Sequence, residues 1–272
     1  MASRKQVRLV AFDVDGTLVG RDLRIAARVR DAIGRMRDAG TQGCLVTGRM
    51  YRATLPFARE LGLDTPIVCY QGAAIIDPAT DDILSHAALA NPLVIELVSV
   101  AERDGVHLQL YRNDEYYCES RNRFSDLYAS LAMVEPVVVA SLREAFAYSP
   151  ATKAVVVADE RDAARYATKL ETLFAGRANV TRSLPQFVEV LDPSVDKGAA
   201  LRFVARHLGI AMEETVAIGD SWNDAPLLSA AGFGIAMGSS PPELRAVADT
   251  VVADVAGDGV AEAIDKYVLA CV

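Results

Sequence analysis

The sequence predicts an α/β protein: a doubly wound, Rossmann-like parallel-sheet core interrupted by an inserted α+β domain. Three observations carry that expectation. Near the N-terminus, short apolar runs that end abruptly in Asp or Thr alternate with helical patterns. A middle stretch then changes character, and the first pattern resumes towards the C-terminus. Apolar runs without polar alternation mark strands covered on both faces, and strands separated by helices close into parallel sheets.

The first strand is Val7-Arg8-Leu9-Val10-Ala11-Phe12, which stops at Asp13. A helix follows with Ile25, Val29, Ile33 and Met36 on one side, and Gly40 supplies its stop. Cys44-Leu45-Val46 is a second strand, ending in Thr47-Gly48-Arg49, and another helical stretch leads to a third, Pro66 to Tyr70. From Ile83 to about Pro185 the pattern gives a helix over 92–103, strands over 106–111 and 115–119, and a helix over 122–132. The strand Ala154 to Ala158, a helix near 161–174 and a strand around 178–182 complete this segment, which is long enough for a unit of its own. The core pattern returns with a helix over 197–208, the strand Thr215 to Gly219 ending in Asp220, a helix over 223–231, a strand over 233–236 and the run Thr250-Val251-Val252. The expected division is core over 1–82, inserted domain over 83–186 and core again over 187–272.

A net charge of −8, with 28 Lys and Arg dispersed among 36 Asp and Glu, leaves no basic patch and argues against a nucleic-acid partner. An anionic ligand would need local cations or a metal. No run approaches the ~18 apolar residues of a membrane span, and Met1 to Val7 holds no apolar leader. The cysteines at 44, 69, 118 and 271 show no Cys-x-x-Cys spacing, so no disulfide framework is expected, and a cytoplasmic location is.

Ligands of parallel α/β sheets bind beyond the carboxyl ends of the strands, which directs attention to the residues that follow them. Asp13-Val14-Asp15-Gly16-Thr17 points two carboxylates the same way from a strand end, and Gly16 frees the chain to turn. Such a pair repels itself unless a cation sits between or one member holds a proton. A lone Asp-Gly would be an ordinary turn; the five-residue pattern behind a buried strand is more than that. Thr47-Gly48-Arg49 combines a hydroxyl with backbone N–H groups at a helix start, an anion site, although Thr is equally a plain N-cap. Lys197 opposes the dipole in the first turn of its helix. It is either a solvated lysine or the partner of a bound phosphate. Asp220, Asn223 and Asp224 offer oxygens suited to a hard cation such as Mg²⁺, while Ser221 with Asp224 also reads as a capping box.

No phosphate loop of the Gly-x4-Gly-Lys type, Gly-x-Ser-x-Gly elbow or His-Glu-x-x-His is present; His86, His107 and His207 are scattered. Gly232-x-Gly234-x3-Gly238 has the wrong spacing for a dinucleotide. In their order, the four clusters at 13–17, 47, 197 and 219–224 resemble the haloacid dehalogenase (HAD) superfamily. The layout is similar to its Cof-like phosphatases, which insert a type II, subclass B cap between the second and third motifs. Tyr70-Gln71-Gly72-Ala73, Asp196 to Leu201 and Asp258-Gly259-Val260-Ala261 add smaller likenesses. Gln71-Gly72 stands where the family usually has Asn-Gly, which would bear on substrate contacts. Leu227-Leu228 stands where a methionine commonly follows the fourth motif.

The resemblance implies that Asp13 is a nucleophile forming an aspartyl-phosphate, and that Asp15 protonates the leaving oxygen and later takes a proton from water. It implies Mg²⁺ held by Asp13, the backbone carbonyl of Asp15 and Asp220. Thr47, Arg49, Lys197 and Asn223, with the backbone of Val14 and Gly48, would bind the phosphoryl group. Asp224 would orient Lys197 or a metal-bound water. The activity implied is a phosphatase for a small phosphorylated metabolite, a sugar phosphate or a phosphorylated cofactor. The cap would choose it, with Tyr111, Arg112, Asn113 and Asp114 as examples of polar groups on offer. The alternatives are a phosphomutase on the same core and a silent phospho-ligand-binding module; silent relatives typically lose the nucleophile or the metal aspartate, and both are kept here.

Overall fold

All four residues of β1 (Leu9–Phe12) are apolar and fully buried, which places this strand in the middle of a sheet rather than at its edge. The computed structural model describes residues 6–271. Met1 to Lys5, most of the segment expected to hold no leader, and Val272 lie outside the described residues.

Helix α1 (Ala27–Asp38) buries Val29, Ile33 and Met36 of the expected stripe, with Ala32 beside them, while Ile25 lies ahead of the helix, buried and bridged to Val19. Next come β2 (Gln42–Leu45) and α2 (Tyr51–Leu61). The third expected strand, β3 (Ile67–Cys69), does not extend the parallel ladder fully. It meets the end of β2 through a single Val46–Val68 bridge and pairs antiparallel with β4 (Ala74–Ile76), itself paired with β5 (Ile83–His86).

The inserted segment runs α3 (Asn91–Asp104), β6 (His107–Arg112), β7 (Glu115–Cys118), α4 (Arg123–Ala132), β8 (Val137–Val138) and α5 (Leu142–Ala145). It continues through β9 (Lys153–Val157), α6 (Glu160–Leu173), β10 (Asn179–Arg182) and β11 (Phe187–Leu191). Its six strands form one sheet in the order β10-β11-β9-β6-β7-β8. One face is covered by α3 and α6, with Leu97 and Leu170 packed among Leu108, Val156 and Val190. Side chains on the other face, Tyr111, Tyr116, Val155 and Phe187, join the apolar cluster of the core. The expected boundary at residue 187 falls on the first residue of β11, which pairs with β9 and β10 inside this sheet.

The chain returns through α7 (Lys197–His207), β12 (Thr215–Gly219), α8 (Ala225–Ala230), β13 (Phe233–Ala236), α9 (Pro242–Val247), β14 (Thr250–Val251) and α10 (Gly259–Ala263). The helix expected over 223–231 is shorter, because Trp222–Asp224 forms a separate tight turn first. The main sheet is parallel throughout, in the order β14-β13-β12-β1-β2. From β1 the chain steps to β2 on one side and later fills β12 on the other. The gap beyond the carboxyl ends of β1 and β12 is therefore the switch-point crevice where open α/β sheets bind ligands. No helix of the described residues is long and apolar enough to cross a membrane. Cys44, Cys69 and Cys118 are free and buried.

Candidate active site

Phe12 pairs with Ile218, and the Asp13 N–H donates to the Ile218 carbonyl at 3.0 Å, so Asp13 is the first residue past the end of β1. Asp220 stands at the equivalent point past β12. Gly16, with φ at +82°, lets the loop between them fold back; a Cβ there would lie 2.1 Å from Asp220 Oδ2. Only glycine meets both conditions. The result brings oxygens of Asp13, Asp220 and Asp224 within 4.8 Å of one another.

Lys197 is 1% exposed, which rules out the solvated lysine. Its ammonium donates to Asp13 Oδ1 at 2.6 Å and to Asp224 Oδ1 at 2.5 Å. The other Asp224 oxygen accepts the Asp220 and Ser221 N–H groups, both at 3.0 Å, the returning half of the expected capping box. Both Asp224 oxygens are thus engaged in holding Lys197 and the Asp220 loop.

Three carboxylates face one ammonium, and the imbalance shows. Burial pushes the Asp13 carboxyl up to about 7; Lys197 opposes this, while Asp224 and Asp15 add to it. Asp220 is also well above the carboxylate range, through burial first and then Asp13 and Asp224. Burial works against the Lys197 ammonium, but Asp13 and Asp224 outweigh it and raise its pKa. Asp220 Oδ1 is buried with no hydrogen-bond partner, an expensive state for a carboxylate oxygen. An oxygen-rich, charge-deficient pocket of this kind fits a hard divalent cation at Asp13 and Asp220.

Thr47 and Gly48 follow β2. The Thr47 hydroxyl accepts the Arg49 N–H at 3.2 Å, and a Cβ on Gly48 would lie 2.3 Å from Gln71 Nε2. Arg49 forks onto Asp15, Nε to Oδ2 at 2.7 Å and Nη2 to Oδ1 at 2.6 Å. Val14 is buried, its carbonyl accepting the Leu18 and Val19 N–H groups. Asn223 donates from Nδ2 to Gln71 Oε1 at 2.9 Å, and its own Oδ1 is buried without a partner. The expected anion site at a helix start needs correction. Helix α2 begins only at Tyr51, and the Tyr51 and Arg52 N–H groups are taken by Asp114, each at 2.9 Å.

A cavity of about 60 Å³ gathers Asp13, Asp15, Thr47, Gly48, Arg49, Asp220 and Asn223 from the core. Opposite them the inserted domain presents Tyr128, Leu131, Leu184 and Phe187, together with Lys153 and Glu189. Lys153 donates to Glu189 Oε2 at 2.6 Å and to the Gly48 carbonyl at 2.8 Å; Glu189 Oε1 accepts from Gln71 Nε2 at 2.8 Å. Sequence reasoning missed both charges. Their signal was a lone ionisable residue in an apolar strand run, which demands a buried partner. The polar groups offered from 111 to 114 do not line the cavity. Tyr111 is buried among Tyr116 and Tyr128, Arg112 lies over Phe146 and Tyr117, and Asp114 caps α2.

Fold and site define a capped α/β enzyme with an acidic centre at its topological switch point. Residues 10–264 match the family model of haloacid dehalogenase-like hydrolases, and the chain belongs to that family. Over 264 residues it is 29% identical to the 5-amino-6-(5-phospho-D-ribitylamino)uracil phosphatase YitU of Bacillus subtilis, covering 95% of this chain and 97% of that protein. Over 270 residues it is 28% identical to the pyridoxal phosphate phosphatase YbhA of Escherichia coli, covering 96% and 99%. A crystal structure of a haloacid dehalogenase-like hydrolase from Bacteroides thetaiotaomicron matches with a TM-score of 0.85 at 28% identity, over 96% of this chain and 99% of that one.

Proposed function

We propose that the chain is a magnesium-dependent phosphatase that moves the phosphoryl group of a small metabolite onto Asp13 and then releases it to water. The observation that carries this reading is Asp13 itself: a buried carboxylate at the switch point, with Oδ1 held by Lys197 and Oδ2 left to attack phosphorus. The P–O bond to the leaving group breaks as Asp13 Oδ2 bonds to phosphorus. Asp15 hands a proton to the leaving oxygen, for which it must come off the Arg49 fork. Arg49 is then free to meet a phosphoryl oxygen alongside Thr47, Asn223, Lys197 and the backbone at Val14 and Gly48. Water next attacks the aspartyl-phosphate, Asp15 takes its proton, and inorganic phosphate leaves. Mg²⁺, held by Asp13, Asp220 and the Asp15 carbonyl, would supply positive charge against the phosphoryl oxygens. Asp224 serves through Lys197 and the Asp220 loop.

We assign residues 1–82 and the C-terminal segment to the core, and extend the cap's sheet to Leu191, past the boundary expected at 186. Cap side chains facing the acidic centre across the cavity support a metabolite over a folded phosphoprotein. The wall of Tyr128, Leu131, Leu184 and Phe187 suits a ligand with a flat or apolar part, which favours a phosphorylated cofactor over a bare sugar phosphate. YitU and YbhA are both named for phosphorylated metabolites. Free, buried Cys44, Cys69 and Cys118 fit a cytoplasmic setting. The deciding experiment compares kcat/KM with Mg²⁺ for cofactor phosphates, sugar phosphates and phosphopeptides, in the parent and in Asp13→Asn. Metabolites should lead and Asp13→Asn should lose turnover. A phosphopeptide outranking every metabolite, or Asp13→Asn retaining activity within about tenfold of the parent, overturns the reading.

A further inference from the structure

We propose that two carboxylates of the cap, Asp114 and Glu189, act as positioning residues that assemble the phosphoryl cradle of the core when the cap is seated. This rests on the phosphatase reading and adds a route by which cap closure reaches the reacting groups.

Asp114 sits on the tight turn between β6 and β7, where it and Asn113 have φ of 56° and 54°. Its Oδ1 accepts the Tyr51 N–H at 2.9 Å and the Tyr70 hydroxyl at 2.6 Å. Its Oδ2 accepts the Arg52 N–H at 2.9 Å and Arg52 Nε at 3.2 Å. The residue at α2's own N-cap position, Met50, supplies no side-chain acceptor. A core helix therefore takes its cap from the other domain. The first N–H groups of a helix need partners, and a carboxylate there also meets the positive end of the dipole. The turn so fixed follows directly on Thr47, Gly48 and Arg49.

The second grip is on the segment that follows β3. Tyr70 and Gln71 both lie in the left-handed region, with φ of 53° and 62°. Side chains other than glycine stay there only where their surroundings hold them. Here the Tyr70 N–H donates to the Arg49 carbonyl at 3.0 Å and the Gln71 N–H to the Thr47 carbonyl at 2.9 Å, so these two residues carry the Thr47–Arg49 loop. The cap holds both of their side chains. Asp114 binds the Tyr70 hydroxyl, and Glu189 accepts from Gln71 Nε2, whose other end accepts from Asn223. Glu189 is itself pinned by Lys153, which also donates to the Gly48 carbonyl. Lifting the cap releases the α2 cap, the Tyr70–Gln71 segment and the Gln71–Asn223 link together. Thr47, Gly48 and Asn223 then lose their mutual alignment.

Asp114 and Gln71 do not line the cavity, so replacing them tests alignment and not substrate contact. The test uses the full chain with Mg²⁺, well below its melting temperature. Turnover is measured on p-nitrophenyl phosphate and binding of inorganic phosphate by calorimetry. Asp114→Ala should lower kcat and weaken phosphate binding, each on the order of tenfold. Asp114→Asn, which keeps one capping acceptor but turns an NH2 towards the other helix N–H, should recover part of both. Gln71→Ala, which cuts the link while leaving the Lys153–Glu189 pair whole, should weaken phosphate binding similarly and serves if Asp114→Ala does not fold. Variants with a lower melting temperature but kcat and phosphate affinity within about twofold of the parent overturn the proposal. A parent without turnover on p-nitrophenyl phosphate and on every phosphorylated metabolite tested above overturns the phosphatase reading instead; the calorimetric arm still decides the coupling, because inorganic phosphate needs only the cradle.

Discussion

Replacing Lys197 by Met removes the one ammonium from the acidic centre and leaves its aliphatic volume nearly filled. Two short charge-assisted bonds go, at 2.6 and 2.5 Å. Asp13 and Asp224 are left uncompensated, with Asp220 within 4.8 Å. Losing one partner of a buried charge pair costs about 3–5 kcal/mol, and two bonds to a charged group at roughly 1.5–3 kcal/mol each lead to the same range. For a chain of this size, at about 2–4 °C per kcal/mol, the melting temperature should fall by roughly 6–20 °C. The sign of the pH dependence follows from Asp13. Burial pushes its carboxyl up to about 7, well above the ordinary carboxylate range, and loss of Lys197 removes the main group holding it down. A carboxyl raised in the folded state contributes stability that is complete below its unfolded pKa and lost as pH rises through the folded one. The deficit of Lys197→Met should therefore be large near pH 8 and shrink near pH 5, where Asp13 is protonated in both proteins and the pair contributes little. Calorimetric melting in EDTA at the two pH values measures it. A shift under about 2 °C near pH 8, or an equal shift at both, refutes the electrostatic account of Lys197.

EDTA should abolish turnover and Mg²⁺ restore it, while Ca²⁺, with its looser coordination, restores little. Mg²⁺ should also raise the melting temperature more near pH 8 than near pH 5, and full activity after exhaustive dialysis against EDTA would exclude the role given to Asp220. Gly16→Ala places a methyl 2.1 Å from Asp220 Oδ2 at a φ of +82°. It should cut turnover on the order of a hundredfold and abolish stabilisation by Mg²⁺, and activity close to the parent's would show that the Gly16–Asp220 approach is not needed.

The core was legible because its signals are local. The apolar run ending at Asp13 is a strand buried on all sides, and the stripe Val29, Ile33, Met36 faces inward in α1 as its spacing requires. Asp13, Asp15, Thr47, Asp220 and Asn223 gather in one cavity because residues after parallel strands share one edge of the sheet. What escaped the sequence depends on long-range pairing. The Phe187 to Leu191 run is apolar but for Glu189, yet its membership of the cap sheet is settled only by partners some thirty residues earlier, in register with Val155 and Ala154. Val14 to Thr17 reads as a turn, but that Gly16 must be glycine for Asp220's sake is invisible until β12 lies beside β1. Asp114 looked like a ligand group because it is polar and sits on a hairpin turn; nothing local says that a helix sixty-three residues earlier lacks a cap.

Gln71 shows how far such long-range demands reach into a motif. Asn is more at home than Gln at a left-handed φ, so the residue usual at this place in the family would sit with less backbone strain. The expected consequence of the exchange was a change in substrate contacts, but Gln71 is 2% exposed and stands behind Gly48, outside the cavity lining. Its amide works in two directions, accepting from Asn223 and donating to Glu189. An Asn side chain, one carbon shorter, could not meet both without drawing β11 or the Asp220–Asp224 loop inward. The longer side chain spans the gap at the expense of backbone comfort, and Glu189, held by Lys153, gives it something to span to. On the phosphatase reading, the residues at strand ends would carry the chemistry, and a buried chain of hydrogen bonds from cap to core would set their alignment. A substitution in that chain should then lower turnover without touching the substrate, which is the outcome the Gln71→Ala measurement checks.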